Sequence, residues 1–428
     1  MRSKFILLTI VAILIAVHAG VPTRAQQPAT NAPTYTKDVA PILFKQCVSC
    51  HRPGEIAPMS LMTYDQARPW AKAILKVLSN GTMPPWHADA PAGTFQNERI
   101  LSDAERKTLM AWAAEGAPKG DEKDLPPRPT FADGWTLGTP DVVVEMQEDY
   151  AIPASGTVEY EYFYVPTNFT ESRWVKSIEI KPGNRTLVHH VLAFYRAKPD
   201  APRVPLARPN AKNMQTPRNN TRGQRPQRTD FKEMPQRLLA TYAPGTNPQV
   251  APEGTAFRLE AGGIIELQMH YTTNGKAGTD RTTVGITFSK DPAPREVRAQ
   301  HFFNGTLRLP AGAADVDVTT DLEFVQDATV WGIFPHTHLR GKKWAYSLVL
   351  PTGETRTILS VPKYDFNWQT YYMFKEPLKV PKGAKIVSTA WYDNSAANKS
   401  NPDATKDVFW GDQTWEEMQY TGVLLSGN

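Results

Sequence analysis

The chain shows two hydrophobic patterns, one in its first third and one in the remainder. In the first third, apolar residues recur at helical spacing over about 37–46, 64–79 and 103–115. Ser102, with Glu105 three residues later, forms a capping box at the start of the last of these segments. The remainder contains short alternating runs such as DVVVEM and WAYSLVL, separated by Gly, Pro and Asn. The pattern predicts a multidomain protein, a small all-α unit followed by two all-β sandwich domains.

Two breaks in the pattern predict the domain boundaries. The Pro-rich stretch DLPPRPTF indicates a linker at 122–134, which separates a front unit at 33–121 from the β-region. The stretch KDPAPREV, near 290–297, divides the β-region into units at 135–290 and 291–428.

The first 25 residues have the features of a secretory signal. Arg2 and Lys4 precede a short apolar run, and small residues offer cleavage after Ala19 or Ala25. An uncleaved signal anchor is the alternative. The sequence therefore predicts a periplasmic or secreted protein.

Composition narrows the class of protein further. The 428 residues are 41% hydrophobic, which is ample for packed cores, and a mean hydropathy of −0.43 excludes a multi-span membrane protein. The formal charge of +5 falls to +2 when Arg2, Lys4 and Arg24 leave with the signal. Such a balance predicts no general affinity for nucleic acid.

One stretch, 198–237, departs from globular composition. It carries ten Lys or Arg against three acidic residues and is rich in Pro and Asn. We expect a long surface loop within the first β-unit. The stretch is either a solvated insertion or a docking site for an acidic partner or an anionic surface.

The only two cysteines, Cys47 and Cys50, lie in CVSCH. A small exported domain held by disulfides would carry more cysteines. C-x-x-C-H is the attachment signature of c-type haem, in which the thiols bind the porphyrin and the histidine, here His51, binds the iron. With three predicted helices around the motif, the front unit resembles a class I cytochrome c domain carrying one covalent haem.

Met83, in GTMPPWHAD, is the predicted sixth ligand of the haem iron. A methionine on a Pro-rich loop about 30 residues after the haem histidine is the arrangement that such cytochromes use. The prolines restrict the loop to an extended path that can direct one side chain at the iron. His87, four residues further on, is the rival ligand.

Five of the nine histidines occur in three packets within the β-region. The packets are VHHVLAF with His189 and His190, LQMHYTT with His270, and FPHTHLRG with His336 and His338. His87 and His301 are isolated.

Strand geometry decides which histidines of a packet can share a metal. Residues i and i+2 of a strand share a face, so His336 and His338 can hold one metal directly. Adjacent His189 and His190 point to opposite faces, and sharing a metal requires a bend, a bulge or different ring nitrogens. Imidazole sites of this kind are typical of copper or zinc, and a thioether ligand would favour copper(I).

The motifs HHVLAF, LQMHY, HTHLRG and EEM resemble, in order and spacing, the copper type II ascorbate-dependent monooxygenases. Peptidylglycine α-hydroxylating monooxygenase and dopamine β-monooxygenase are familiar members of this family. The resemblance covers about two-thirds of the chain, from Asp141 onward. It implies two jelly-roll-like β-sandwiches, each holding one copper, across a solvent gap.

The resemblance also implies a ligand set for two copper ions. His189, His190 and His270 would bind the copper that transfers electrons, and Gln268 would orient His270. The catalytic copper, which activates dioxygen, would be bound by His336, His338 and Met418.

Two positions depart from the peptide-amidating members of the family. Phe334 stands where those enzymes have a substrate-binding arginine, and Gly422 stands where they have a tyrosine. We therefore expect a more apolar substrate pocket and a substrate other than a peptide to be amidated.

Together these features predict an exported haem–copper monooxygenase that hydroxylates a C–H bond of a small organic substrate with O2. Electrons would come from an external redox protein or ascorbate and pass from haem to copper. One alternative is a non-catalytic electron-transfer or copper-binding protein of the periplasm. Another is an oxidase that reduces oxygen without inserting it into a substrate.

Overall fold

A computed structural model describes residues 32–428 except 56, 132–133, 201–203, 217–233, 235, 244–247 and 293. The predicted signal segment lies outside the described residues. Within them, no helix combines the length and apolar character needed to cross a membrane.

All α-helices of the described chain lie before residue 115. They are α1 Ala40–Gln46, α2 Tyr64–Ala67, α3 Ala71–Ser79 and α4 Asp103–Ala114, with short π or 3₁₀ turns at Tyr35–Val39, Arg68–Trp70 and Glu122–Asp124. The three predicted helical segments and the capping box of Ser102 and Glu105 are confirmed. The segment predicted over 64–79 is divided at Pro69, where a 3₁₀ turn replaces α-helix.

The rest of the described chain is built from 22 strands. The strands before residue 290 are β1 Val142–Glu145, β2 Tyr150–Ile152, β3 Glu161–Pro166, β4 Arg173–Lys181, β5 Val188–Arg196, β6 Ala207–Pro209, β7 Gln236–Tyr242, β8 Gln249–Val250, β9 Thr255–Leu259, β10 Ile264–Tyr271, β11 Gly278–Asp280 and β12 Thr283–Phe288. Those after it are β13 Arg295–Phe303, β14 Arg308–Leu309, β15 Val316–Phe324, β16 Ala328–His336, β17 Gly341–Val349, β18 Thr355–Val361, β19 Tyr372–Val380, β20 Lys385–Tyr392, β21 Val408–Phe409 and β22 Tyr420–Gly427.

The strands form two sandwiches, each with its own core. In the first, the sheet β3-β10-β5-β7 packs on the β1-β12-β4-β9 part of a nine-stranded sheet, with residues such as Val191 and Ile178 between them. In the second, the sheet β18-β17-β20-β15-β6 packs on the β13-β22-β16-β19 part of the same nine-stranded sheet, around residues such as Tyr346 and Val330. Each core is made by the inward-facing residues of the two sheets that enclose it.

One sheet therefore runs through both sandwiches. The junction is the parallel pair β9 and β13, in which Thr255 lies opposite Arg295 and Ala256 opposite Glu296. Leu424 and Val297, from strands of the second sandwich, belong to the core of the first. The two sandwiches share hydrogen bonds and apolar contacts.

The prediction of a small all-α cytochrome c domain ahead of the sandwiches is wrong. The protein is predominantly β, and its α-helices are 4 to 12 residues long. The described residues of 47–63 and 80–102 contain no α-helix. Helical spacing located the helices correctly, but it could not show what the segments between them pack against.

The segment 86–97 packs against the second sandwich. Phe95 forms a bridge with Phe374 of β19, and the backbone N–H of Gln96 donates to Met373 (2.8 Å). Phe95 is buried, and its ring contacts the rings of Trp86 and Tyr372 at centroid distances of 5.8 and 5.6 Å. The front segment therefore supplies part of a β-sandwich core.

The described part of the basic stretch 198–237 is not all loop. Strand β6 lies within it and pairs with β15 of the second sandwich, so that Ala207 lies opposite Phe324. Most of its arginines fall within 217–233, outside the described residues.

Candidate metal centre

His189, His190 and His270 lie together at one end of the sheet β3-β10-β5-β7. His190 is directly opposite His270, whereas Tyr271 is opposite Val188, so His189 is the extra residue of a β-bulge. The bulge overrides the alternation of the strand and brings both adjacent histidines to one side. Of the arrangements that the sequence left open, the structure has the bulge.

The ligand nitrogens of these three histidines lie within 4.8 Å of one another. The Nδ1 atom of His190 lies 3.1 Å from Nδ1 of His189 and 3.2 Å from Nδ1 of His270. Three imidazole nitrogens converging in this way form a donor set suited to copper or zinc.

His336 ends β16, and His338 follows it on the connection to β17. Their ring centroids lie 5.2 Å apart, and both side chains are buried. His336 Nδ1 is 2.8 Å from Gln369 Oε1, and His338 Nδ1 is 3.2 Å from the carbonyl oxygen of Glu416.

The hydrogen-bond partners of His336 and His338 determine which nitrogen of each ring is free to bind a metal. A carbonyl oxygen only accepts hydrogen bonds, so each Nδ1 carries the proton and each Nε2 keeps its lone pair. Gln369 Nε2 donates to the carbonyl of Phe366 (3.3 Å), which orients the amide with its oxygen towards His336. The Nε2 atom of His338 is buried and has no hydrogen-bond partner among the described residues. An unpaired buried nitrogen fits metal ligation, which would satisfy it.

The two histidine sets are contiguous. The resemblance implies a solvent gap between two copper sites, but the ring centroids of His190 and His336 lie only 6.5 Å apart. The buried side chain of Gln369 lies between them, with Nε2 at 3.4 Å from His190 Nδ1. Tyr160 and Phe366 flank the group, with centroids 4.8 and 5.9 Å from that of His270. We call His189, His190, His270, His336 and His338 the five-histidine group.

Burial keeps these imidazoles neutral. It lowers the pKa of His270 to about 3 and that of His336 to about 4, and the neighbouring His189 reinforces the effect at His270. Burial and the surrounding rings hold the pKa of His190 and of His338 well below 6.5. Neutral rings have the lone pairs that a metal requires.

Met418 is positioned beside His338 through Glu417, a residue that the sequence analysis did not single out. The fully buried Glu417 carboxylate accepts hydrogen bonds from the backbone N–H groups of His338, Arg340 (3.0 Å) and Met418 (2.9 Å). Burial raises the pKa of Glu417 to about 7, against the opposing effect of these three donors. One carboxylate thus joins the histidine pair to the methionine segment.

Gln268 has a different partner from the one expected. Its amide Nε2 donates to the hydroxyl of Tyr162 (2.7 Å) rather than orienting His270.

The CVSCH segment lines a cavity of about 370 Å³ in the front part of the molecule. The free thiols Cys47 and Cys50, the His51 ring and the Met83 side chain all face this cavity. Much of its remaining wall is apolar, with contributions from α1, α3 and α4. His87 is not among the described residues that line it.

The polar groups of the cavity fit a bound haem. His51 Nδ1 lies 3.3 Å from the carbonyl oxygen of Met59, which accepts its proton and leaves Nε2 free. Burial raises the pKa of the Cys47 thiol to about 12. Arg99 also lines the cavity, and burial lowers the pKa of its guanidinium.

A sequence comparison bears on the second sandwich. Residues 316–419 match the family described as copper type II ascorbate-dependent monooxygenase, C-terminal domain. The match includes His336, His338 and Met418, and it supports the resemblance to a copper-dependent monooxygenase over this quarter of the chain.

The comparisons with curated proteins and with solved structures are less informative. No curated protein matches the chain. Among solved structures, the major capsid protein P2 of bacteriophage PM2 is similar at 9% identity and a TM-score of 0.26, covering 67% of this chain and 97% of that one. Allantoicase from Saccharomyces cerevisiae is similar at 8% identity and a TM-score of 0.18, covering 64% and 80% of the two chains. These TM-scores are too low to support an argument about fold or function.

Proposed function

We propose that this protein is an exported copper-dependent monooxygenase that also carries a covalent haem. The observation that carries the proposal is the His336–His338 pair, in which each Nδ1 faces an oxygen acceptor, within a region matched by the monooxygenase family. The reaction converts a C–H bond to an alcohol. It consumes one O2, two electrons and two protons, and releases one water.

The five-histidine group and Met418 would hold two copper ions. The converging nitrogens of His189, His190 and His270 support one ligand set, and the neighbouring rings of His336 and His338 support the other, to which Met418 would add its thioether. Bound copper would supply one-electron redox chemistry and oxygen activation at the second set. The protein's part is to keep these imidazoles neutral and to fix the orientation of His336 and His338 through Gln369 and the carbonyl oxygen of Glu416.

Cys47 and Cys50 would attach one haem, with His51 as the iron ligand and Met83 as the sixth ligand. The position of Met83 on the cavity wall favours it over His87. The Arg99 guanidinium, on the same wall, is suited to pair with a haem propionate. Bound haem would supply a store for one electron, received from an external redox protein or ascorbate.

The substrate is a small organic molecule whose reacting end is apolar. Phe334 is fully buried beside His336, at a centroid distance of 6.1 Å, and packs with Leu192 and Leu238. Its partner across the sheet is Gly422, so both departures from the peptide-amidating enzymes fall at one position of the site. Neither of these two positions offers a guanidinium that could bind a peptide carboxylate. Export through the amino-terminal signal would place the reaction in the periplasm or outside the cell.

The test is the variant Met418→Ala in the copper-loaded protein. We expect oxygen-dependent product to be lost while the haem absorption spectrum and the copper content of the His189 set stay unchanged. Met214→Ala, a change at a partly buried methionine elsewhere in the second sandwich, is the matched control. If Met418→Ala still forms product at the rate of the control, the assignment of the oxygen-activating site is wrong. Spectra without haem bands in the parent protein would remove the haem from the proposal.

A further inference from the structure

The segment Asp365–Gln369, between β18 and β19, lies against both candidate cofactor sites. At one side, the Phe366 ring stacks on His189 with a centroid distance of 5.7 Å and an interplanar angle of 24°. The same ring lies 5.8 to 5.9 Å from the rings of His190, His270 and His338. Phe366 therefore contacts four rings of the five-histidine group.

At the other side, Trp368 forms part of the wall of the CVSCH cavity. It lines this cavity together with Cys47, Cys50, His51 and Met83. Among the described residues that line the cavity, Trp368 alone comes from the β-region. A ligand bound in the cavity would contact the segment that carries Phe366 and Asn367 through the Trp368 indole.

Asn367 connects the two sides. Its Oδ1 lies 3.3 Å from His189 Nε2, and its Nδ2 donates to Asp365 Oδ1 (2.8 Å). Because the second bond fixes the orientation of the amide, Oδ1 accepts the Nε2 proton of His189. That tautomer leaves His189 Nδ1 free to bind a metal. The path from the cavity wall to this ligand runs through two adjacent residues and one hydrogen bond.

The segment is held in a defined shape. Asp365 accepts hydrogen bonds from the backbone N–H groups of Asn367 (side chain oxygen, 2.9 Å) and Trp368 (backbone oxygen, 3.0 Å). Gln369 closes the turn by donating to Phe366, as described above. These hydrogen bonds fix the position of the Trp368 indole relative to the Asn367 amide. Efficient electron transfer requires such a fixed distance.

The front part of the molecule is fastened beside this segment. Asn97 donates through its side-chain amide to the carbonyl of Tyr371 (2.6 Å) and accepts from the backbone N–H of Met373 (3.1 Å). Glu55, which follows the CVSCH motif, pairs with Arg185, which precedes β5. These contacts hold the cavity against both sandwiches.

We propose that Trp368 and Asn367 form the electron path from the haem in the CVSCH cavity to the copper bound by His189. With both groups bound, this step would oxidise ferrous haem to ferric haem by one electron and reduce one Cu(II) to Cu(I). No proton moves and no bond is broken. The inference rests on the proposed function, since it requires both groups to be bound.

The experiment is an anaerobic pulse-radiolysis measurement on the full-length protein with haem attached and copper loaded. A radical donor reduces the haem, and the first-order loss of the ferrous absorption bands reports electron transfer within the protein. The variants are Trp368→Leu, Trp368→Phe and Asn367→Ala. Trp391→Leu, a tryptophan on β20 that contacts Lys343, is the matched control. Haem content, haem potential and the copper EPR spectrum are recorded for each.

We expect a copper-dependent phase in the parent protein that slows about tenfold or more in Trp368→Leu and in Asn367→Ala, the range typical of changes next to a metal ligand. Trp368→Phe, which keeps an aromatic ring, and Trp391→Leu should stay close to the parent rate. Unchanged haem potential and copper spectra would show that the path was altered and not the two centres. If Trp368→Leu fails to retain haem, Asn367→Ala decides, because its side chain lies outside the cavity wall.

A rate in Asn367→Ala and Trp368→Leu equal to that of the parent overturns the inference and leaves the proposed function standing. Equal slowing of electron transfer in all variants, including the control, also overturns the inference. Such a result would reflect a general loss of packing rather than a change in the path. A parent protein that binds haem and copper but shows no copper-dependent phase overturns the inference together with the proposed haem-to-copper transfer. A parent that binds neither group contradicts the proposed function itself.

Discussion

Single side chains position the segments that carry the histidines, and Glu417 is one of them. Its carboxylate is fully buried, and all three backbone donors that it accepts from lie next to or within the ligand segments. A buried donor that loses its acceptor costs the free energy of its desolvation. Glu417 therefore stabilises the fold and positions His338 and Met418 with the same contacts.

Removing this carboxylate should destabilise the protein locally and globally. We expect Glu417→Ala to lower the free energy of unfolding by about 3 kcal/mol, because it leaves three backbone N–H groups without their acceptor. Urea denaturation of the metal-free protein measures this, and copper titration should show weaker binding at the His336 set. Glu354→Ala, at an exposed turn, is the control. A loss no greater than that of the control would contradict the role assigned to Glu417.

The buried histidines should make the metal-free protein sensitive to acid. Their pKa values in the fold, about 3 for His270 and about 4 for His336, lie below the 6.5 of an unfolded histidine. Below pH 6.5 the unfolded chain therefore binds protons that the folded chain does not, and stability falls by about 1.4 kcal/mol per pH unit for each such histidine. Glu417, with a raised pKa of about 7, opposes this trend, but it is one group against several.

Urea denaturation at pH 7, 6 and 5 tests this expectation. The free energy of unfolding should decrease towards pH 5, and His270→Gln should show a shallower decrease than the parent protein. A stability independent of pH over this interval would contradict the expectation, because it would mean that the folded and unfolded chains take up equal numbers of protons.

At the scale of elements, the sequence predicted more about helices and strands than about their packing. The alternation of adjacent histidines on a strand correctly implied that a bulge, a bend or a change of nitrogen was needed, and the bulge at His189 is present. Helical spacing also located the segments around CVSCH. Helical spacing did not reveal that 86–97 would complete a β-sandwich core. An extended aromatic segment has no periodicity that indicates which element it packs against.

The same reasoning explains which site residues were missed. Phe366, Asn367 and Gln369 lie about 30 residues beyond the HTH motif, in a loop without a recognisable pattern. Their role depends on long-range contacts with β5 and β16 that a single sequence does not encode visibly. The histidines could be found because their spacing and clustering are themselves the signal.

The attachment of the front segment can be tested at Phe95. We expect Phe95→Ala to cost about 3 to 4 kcal/mol of unfolding free energy, because it leaves a cavity among Trp86, Tyr372 and Phe374. Limited proteolysis should then cut the chain within or next to 86–97 faster. Phe409→Ala, at a phenylalanine that is 50% exposed, should change neither result. Equal stability of the two variants would mean that the docking contributes little.

At the scale of the whole molecule, the three parts are joined by contacts of kinds usually found within domains. The nine-stranded sheet passes through both sandwiches, Leu424 lies in the core of the other unit, and Phe95 joins β19. We therefore expect the metal-free protein to unfold in one calorimetric transition, with agreement between the van't Hoff and calorimetric enthalpies. Two resolved transitions, one for each sandwich, would show that these junctions are weak.

The position of β22 has a consequence for the order of events in the cell. This strand follows all the other described strands in the chain, yet it lies in the middle of the shared sheet, between β13 and β16. A growing polypeptide cannot complete the sheet until this stretch has been synthesised and released. Glu417 and Met418 lie directly before it in the chain, so the proposed second ligand set would be complete only after this stretch has been synthesised. Copper uptake at that proposed set would therefore follow translation of this stretch.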